Sequence, residues 1–498
     1  MMSPQILIIN PTDNVAVAIV ELNVGDQLHV DDKSVVVKEL IPVGHKVALQ
    51  SLSTNDLIIK YGYSIGHAIE SIDEGAWVNE KNLKTNLNGI LEYRYSPKHV
   101  AVQEADRHLS FNGYVRKNGE VGIRNEIWII PTVGCVNGTI RRLADEFRRE
   151  VGDESVDAIV DFPHNYGCSQ LGDDHENTRK ILRDMALHPN AGGVLMVGLG
   201  CENNQLTAFR ELLGDYDPER IMFMETQKIE GDEMEIGMEL LRKLYQKMKS
   251  DVRQPVPLSS LRVGLKCGGS DGFSGITANP LLGMFSDFLV SQGGTTILTE
   301  VPEMFGAETL LMNRCNNENT FDKTVHLIND FKAYFIQNNQ PIYENPSPGN
   351  KAGGISTLEE KSLGCTQKSG MAVVKDVLKY GDRLKEHGLN LLSAPGNDLV
   401  ATTALGAAGC HFVLFTTGRG TPFGSFIPTV KISTNTKLAN NKPLWIDFNA
   451  GKLLEGTSMK DLREQFIAYI LHVVNGEKVN AEKNSYREIA IFKTGVTL

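Results

Sequence analysis

Three segments, IIPTVGCVN, FPHNYGCSQ and MVGLGCEN, each close an apolar run with Gly-Cys, at Cys135, Cys168 and Cys201. The interval is 33 residues, and VGLKCGGSD places Cys267 two intervals further on. That step is about the size of one strand–helix–strand unit. Parallel strands repeated at this spacing expose their carboxyl ends along one rim, where open α/β sheets bind ligands. The alternative is that a small residue merely fits tight strand ends. Polar neighbours on the same turns favour a functional rim.

The surrounding pattern predicts an α/β fold with parallel, doubly wound sheets in the main body and a small N-terminal all-β module. Residues 1–95 carry short β-branched runs (QILIIN, NVAVAIVEL, SVVVKEL, KVALQSL, DLIIKYG) divided by turn residues. Residues 96–112 read as a linker, 113–252 as a first α/β domain, 253–260 as a connecting segment, and 258–498 as a second α/β domain. Within the last, 343–370 reads as one long Gly/Pro-rich loop without period.

Composition narrows the function. The 498 residues carry a net charge of −11 with no Lys/Arg stripe, which argues against nucleic acid. No apolar run approaches the length of a membrane span, and the N-terminus lacks a signal-peptide pattern. Seven cysteines without CxxC spacing argue against a zinc knuckle and a secreted disulfide framework. A reduced, cytoplasmic setting follows, with a homo-oligomer left open. No strand leads into GxGxxG, so a nicotinamide-dependent dehydrogenase is disfavoured.

Several groups can carry chemistry. His164 and Cys168 lie four residues apart and are competent transition-metal ligands, with Cys201 on the next turn; the alternative for His164 is a strand-end cap. His175 reads as part of a solvated acidic stretch. The loop LKCGGSDGFSGITANP offers Gly268, Gly269, Ser270, Asp271 and Asn279 between a strand and a helix, suited to an anion or a polyol. Glu300, ahead of Glu303 and Glu308, is the preferred carboxylate of TEVPEMFGAE. Lys361 or Lys368, and Arg419 in TTGRGTPFG, can receive a carboxylate.

Together PHNYGCSQ, GLGCENN, KCGGSDGFSGITANPLLG, GGISTLEEKSLG and LFTTGRGTPFGSFIPTVKISTN resemble the altronate dehydratase family of sugar-acid hydro-lyases, which includes galactarate dehydratase. The resemblance spans nearly the whole chain. IPVGHKVAL and KYGYSIGHA resemble the SAF (β-clip) domain fused to such enzymes. Where that domain usually continues into VHxHN, this chain reads Val78-Asn79-Glu80-Lys81-Asn82, without histidine.

The resemblance implies a small-molecule sugar-acid substrate and a divalent metal, Fe2+ or Mn2+, with 2-dehydro-3-deoxy-D-gluconate formed from altronate. On this reading His164, Lys361 and Glu300 are catalytic, and His164, Cys168 and Cys201 hold the metal. Gly268, Gly269, Ser270, Asp271, Asn279 and Arg419 bind substrate. Competing readings are a galactarate dehydratase and a sulfolactate sulfo-lyase. A hydro-lyase with an iron–sulfur cluster on Cys135, Cys168, Cys201 or Cys267, and a non-catalytic sugar-acid binder, also compete.

Overall fold

The computed structural model describes residues 5–30, 33–100, 108–152 and 156–498. The N-terminal module is built of short antiparallel strands. Val15–Ala18 pairs with Lys46–Ala48, which pairs with Trp77–Val78. Leu57–Lys60, Tyr63–Ala68 and Leu83–Lys84 form a second small sheet.

The main body holds two parallel sheets. The first has the order Ile159–Asp161, Glu126–Pro131, Ala191–Gly198, Ile221–Glu225. Its two central strands are buried throughout, as covering helices on both faces require. Helix Asn137–Val151 buries Ile140, Leu143, Ala144 and Phe147, a single face at helical spacing. The second sheet has seven strands, ordered Val374–Leu378, Gly388–Leu392, Thr295–Leu298, Arg262–Cys267, Phe412–Thr417, Thr429–Ser433, Phe448–Asn449. Strand order reverses between Arg262–Cys267 and Phe412–Thr417, so the topological switch point lies beside Cys267.

The two sheets share one core. Trp128 and Ile130 of the first, with Phe162 just past its edge strand, pack with Val413 and Phe415 of the second and with Phe426, which precedes strand Thr429–Ser433. The buried pair Arg124–Glu482 (2.7 Å) ties the same bodies together. Three segments differ from the sequence expectation. Residues 254–257, read as a connection, form strand Gln254–Pro257, which pairs with Ser110–Val115. That second strand begins inside the expected 96–112 linker, whose residues 101–107 lie outside the described set.

The expected loop 343–370 contains helices Pro348–Ala352 and Leu358–Thr366. Ser347 and Thr357 cap them by accepting from the backbone N–H groups of Asn350 and Glu360. Helix Leu358–Thr366 is buried on every side, so its sequence LEEKSLGCT has no polar face and no period to read.

That helix is where the N-terminal module docks. Lys46 Nζ lies 2.9 Å and Lys60 Nζ 2.7 Å from the carboxylate of Glu360, all three side chains being almost fully enclosed. Lys46 also donates to Gly354 O and Ser356 Oγ, each at 2.8 Å. Burial opposes ionisation of Glu360, yet the two ammonium groups hold its carboxyl down at about 2. Burial pushes Lys46 down, while Glu360 holds Lys60 up against its own burial: one carboxylate cannot fully neutralise two cations.

Removing the carboxylate charge strands two buried ammonium groups. Glu360→Gln is therefore expected to cost about 3–5 kcal/mol of stability, read in denaturant melts against wild type. Folding lowers this carboxyl, so its contribution is complete above the ordinary range near about 4.3 and is lost as pH falls toward 2. The gap between wild type and variant should narrow over that window; a gap that does not change with pH would refute the assignment.

Candidate active site

Strand Arg262–Cys267 runs through the middle of the seven-stranded sheet and delivers Lys266 and Cys267 to its carboxyl end. The neighbouring strand Thr295–Leu298 leads to Glu300, whose backbone is left-handed (φ 69°), and then to the short 3-10 turn Val301–Met304 carrying Glu303. The sharp left-handed turn aims both carboxylates back across the end of the central strand. Helix Leu358–Thr366 supplies Lys361 and Cys365, one turn apart, and Lys368 follows in the next turn.

These groups converge. The Cys267 thiol lies 3.1 Å and the Cys365 thiol 3.3 Å from Glu303 Oε2, and the two sulfurs are 3.4 Å apart. Lys361 Nζ sits 2.8 Å from the other Glu303 oxygen. Glu300 accepts from Lys266 (2.5 Å), Lys368 (3.0 Å) and the backbone N–H of Cys267 (2.9 Å). Lys266 also reaches Asp398 at 2.8 Å, and Lys368 donates to Cys267 Sγ at 2.9 Å.

Burial would raise the Glu303 carboxyl, but Lys361, Lys368 and Lys266 hold it well below the usual carboxylate range. The hydrogen bond with Cys267, and then burial, push the Cys365 thiol up. Burial opposes the charge on Lys361, and Glu303 outweighs it, keeping the amine cationic.

Three ammonium groups thus face three carboxylates. A divalent cation added to this balance needs two further negative charges, and two thiols able to become thiolates supply them. Cys267, Glu303 and Cys365, with donor atoms all within 4.8 Å of one another, form the group among the described residues able to hold a metal ion. Two sulfurs and one oxygen suit a borderline transition metal better than Mg2+ or Ca2+. The cluster opens onto a cleft of about 720 Å3. Lys361, Glu303, Asp398, Gly268 and Gly269 line one side, and Phe331, Tyr334, Phe335 and Phe492 form an aromatic wall. A third of the Asp398 side chain is exposed there.

The residues expected from sequence fall into three places. Glu300, Lys361, Gly268 and Gly269 belong to this cluster or its cleft. Gly268 lies so close to Phe415 and Asp398 that a Cβ would meet them at 2.5 and 2.8 Å. Asp271 and Asn279 are buried braces at the switch point. Asp271 accepts from Thr434, Asn435 and Ser274, and Asn279 bridges Thr416 and the Gly364 carbonyl. Ser270 is buried beside them, its hydroxyl without a partner. Arg419 is exposed at the rim and donates to Gly349 O at 3.2 Å.

His164, Cys168 and Cys201 stand on the other sheet. His164 is buried, donates from Nε2 to Pro131 O (2.8 Å) and accepts at Nδ1 from the Tyr166 N–H (3.1 Å). Burial pushes it down to about 4, so it stays neutral. Neither ring nitrogen is free in this arrangement to hold a metal or take a substrate proton. Lys266, Cys365 and Asp398 join the site without having stood out as candidates in the sequence. Lys266 had a readable signal, a charged residue inside the apolar run of a central strand, which demands a buried partner.

A doubly wound body with a buried thiol–carboxylate–lysine cluster at its switch point, open to a cleft and able to hold a metal ion, has the build of an α/β enzyme. Family models agree. Residues 4–86 match the altronate/galactarate dehydratase SAF domain. Residues 113–249 match the D-galactarate dehydratase/altronate hydrolase second domain, and 258–497 the D-galactarate/altronate dehydratase C-terminal domain. The chain is 58% identical to an altronate dehydratase of Bacillus subtilis (strain 168) over 98% of its own length and 99% of the relative's. Identity to an altronate dehydratase of Escherichia coli (strain K12) is 57%, covering 99% and 100%. A galactarate dehydratase (L-threo-forming) of the same strain shares 33%, covering 97% and 96%. The chain belongs to the altronate/galactarate dehydratase family.

Each thiol must give up its proton to bind a metal, so loading a divalent ion is expected to release about two protons per chain. Calorimetry in buffers of different ionisation enthalpy measures this. Cys365→Ser should lower the release and the metal content together. Lys368→Met, which removes the cation beside Cys267, should weaken metal retention by about 10–100-fold.

Proposed function

We propose that the chain dehydrates D-altronate to 2-dehydro-3-deoxy-D-gluconate and water, with ferrous iron as the divalent ion held by Cys267, Cys365 and Glu303. The observation that carries the substrate assignment is identity of 57–58% along the full length of two altronate dehydratases, against 33% to the galactarate enzyme. The cleft supports it with cations, polar side chains and an aromatic wall around a volume suited to a six-carbon acid.

Removing the proton at C2 of a sugar acid is difficult because negative charge builds on an adjoining carboxylate. A divalent ion, when bound, supplies positive charge at that carboxylate. Lys361, fixed by Glu303 and by the amide oxygens of Asn345 (3.1 Å) and Asn350 (3.2 Å), adds a second cation at the cleft wall. Asp398 is the partly open carboxylate and is steadied by Lys266, so it is placed to take the C2 proton. Gly268 and Gly269 let the substrate approach the strand end where a side chain would exclude it. Glu300 acts as a positioning residue: it orders Lys266, Lys368 and the Cys267 amide at once. The C3 hydroxyl then leaves as water, taking a proton from solvent in the open cleft, and the enol left behind becomes the keto product.

Anaerobic assay with ferrous iron and detection of the keto acid tests the reading. Turnover of altronate should exceed that of galactarate, and a chelator should abolish it. Asp398→Asn should lower kcat by about 10²–10⁴-fold with metal content unchanged; near-wild-type turnover by that variant would remove Asp398 from the chemistry.

A further inference from the structure

The Gly-Cys turns of the first sheet are not used by the site above. Cys135, Cys168 and Cys201 follow the carboxyl ends of three adjacent parallel strands, and all three are exposed, whereas Cys267, Cys315, Cys365 and Cys410 are buried. The turns interlock. Gly134 N–H donates to Tyr166 O (3.0 Å), and Asn204 N–H to Gly167 O (3.1 Å). Glu202 joins the first and third turns, accepting from the Thr132 hydroxyl (2.7 Å) and the Leu199 N–H (3.0 Å).

The close packing is made by the glycines. A Cβ on Gly167 would stand 1.9 Å from Thr132 O, and one on Gly134 2.6 Å from His164 O. Each cysteine that follows points outward, so tight turn packing does not explain it. Three exposed thiols on one braced rim are an oxidation liability unless they serve a purpose. The rim also adjoins the cleft: Ile491 N–H donates to the Tyr166 hydroxyl (3.2 Å), and the next residue, Phe492, lines the cleft.

We propose that Cys135, Cys168 and Cys201 form a three-thiolate site for a four-iron, four-sulfide cluster. Their turns also meet beside the thiols: the N–H of Ser169, next to Cys168, donates to Asn203 Oδ1 (2.9 Å), two residues past Cys201. A four-iron cluster takes one thiolate per iron and so spreads its ligands. Three thiolates leave the fourth iron open to an oxygen ligand such as a hydroxy acid. Loading from a preformed cluster carried by small thiolates is ligand exchange. Each incoming thiol gives its proton to one departing thiolate, and no iron changes oxidation state.

The full chain would be incubated anaerobically with a synthetic tetrathiolate four-iron, four-sulfide cluster and then gel-filtered. Wild type is expected to retain about four irons and four acid-labile sulfides per chain, with broad visible absorption. Cys135→Ser, Cys168→Ser and Cys201→Ser should each cut retention by about fivefold or more, and the triple variant should retain none. Cys267→Ser and Cys410→Ala, checked for folding by circular dichroism, should retain wild-type amounts. The proposal is overturned if wild type holds no cluster, if it holds iron without sulfide, or if the triple variant loads like wild type. None of these readouts uses turnover, so failure here leaves the altronate assignment standing.

Discussion

Charge balance in a dry interior governs this molecule. Lys266, Lys361 and Lys368 meet Glu300, Glu303 and Asp398 at the end of one strand. Each ion taken from water costs several kcal/mol, so the set is tolerable only because every charge has a partner. The same arithmetic makes the cluster receptive to a cation. Its carboxylates are already neutralised, and the two thiols are the groups left that can answer two added positive charges. Removing one of the enclosed partners, Lys266, Glu300 or Glu303, would strand a buried charge, whereas Asp398 is a third exposed and can lose its charge at less cost.

The N-terminal module takes part in that arrangement from a distance. Lys46 and Lys60 grip Glu360, the residue just before Lys361 on helix Leu358–Thr366. Leu363 of the same helix packs into the module's own apolar core with Ile58, Ile65 and Leu83. Another side of the helix carries Cys365 to Cys267 and Glu303. A helix this short and this polar gains little from its own propensity. Its position comes from being clasped between the module and the sheet, which couples docking of the module to the geometry of the cluster.

Much of the framework was legible along the chain. Apolar runs ending in Gly-Cys marked parallel strands, and the turn-rich start marked the β module. The glycine loop after Cys267 and the carboxylates after Leu298 were readable as strand-end groups. His164 illustrates the limit. A histidine four residues from a cysteine suggests a ligand pair, but the tertiary structure uses both ring nitrogens to bind backbone. Sequence spacing cannot say whether a polar side chain finds its partner in its own turn or in a pocket. Segment 343–370 shows the same limit for secondary structure, since periodicity reports a helix only when one face meets water.

What the sequence alone determined was local and periodic: strand and helix alternation, the β module, the family resemblance, and the residue types available for chemistry. What only tertiary structure decided was which of those residues meet. Cys267, Glu303 and Cys365 are separated by 36 and 62 residues along the chain and come within 3.4 Å through the order of the strands and the burial of one helix. Those are long-range choices set by topology and by the need to pair buried charges, and no pattern within a short window encodes them.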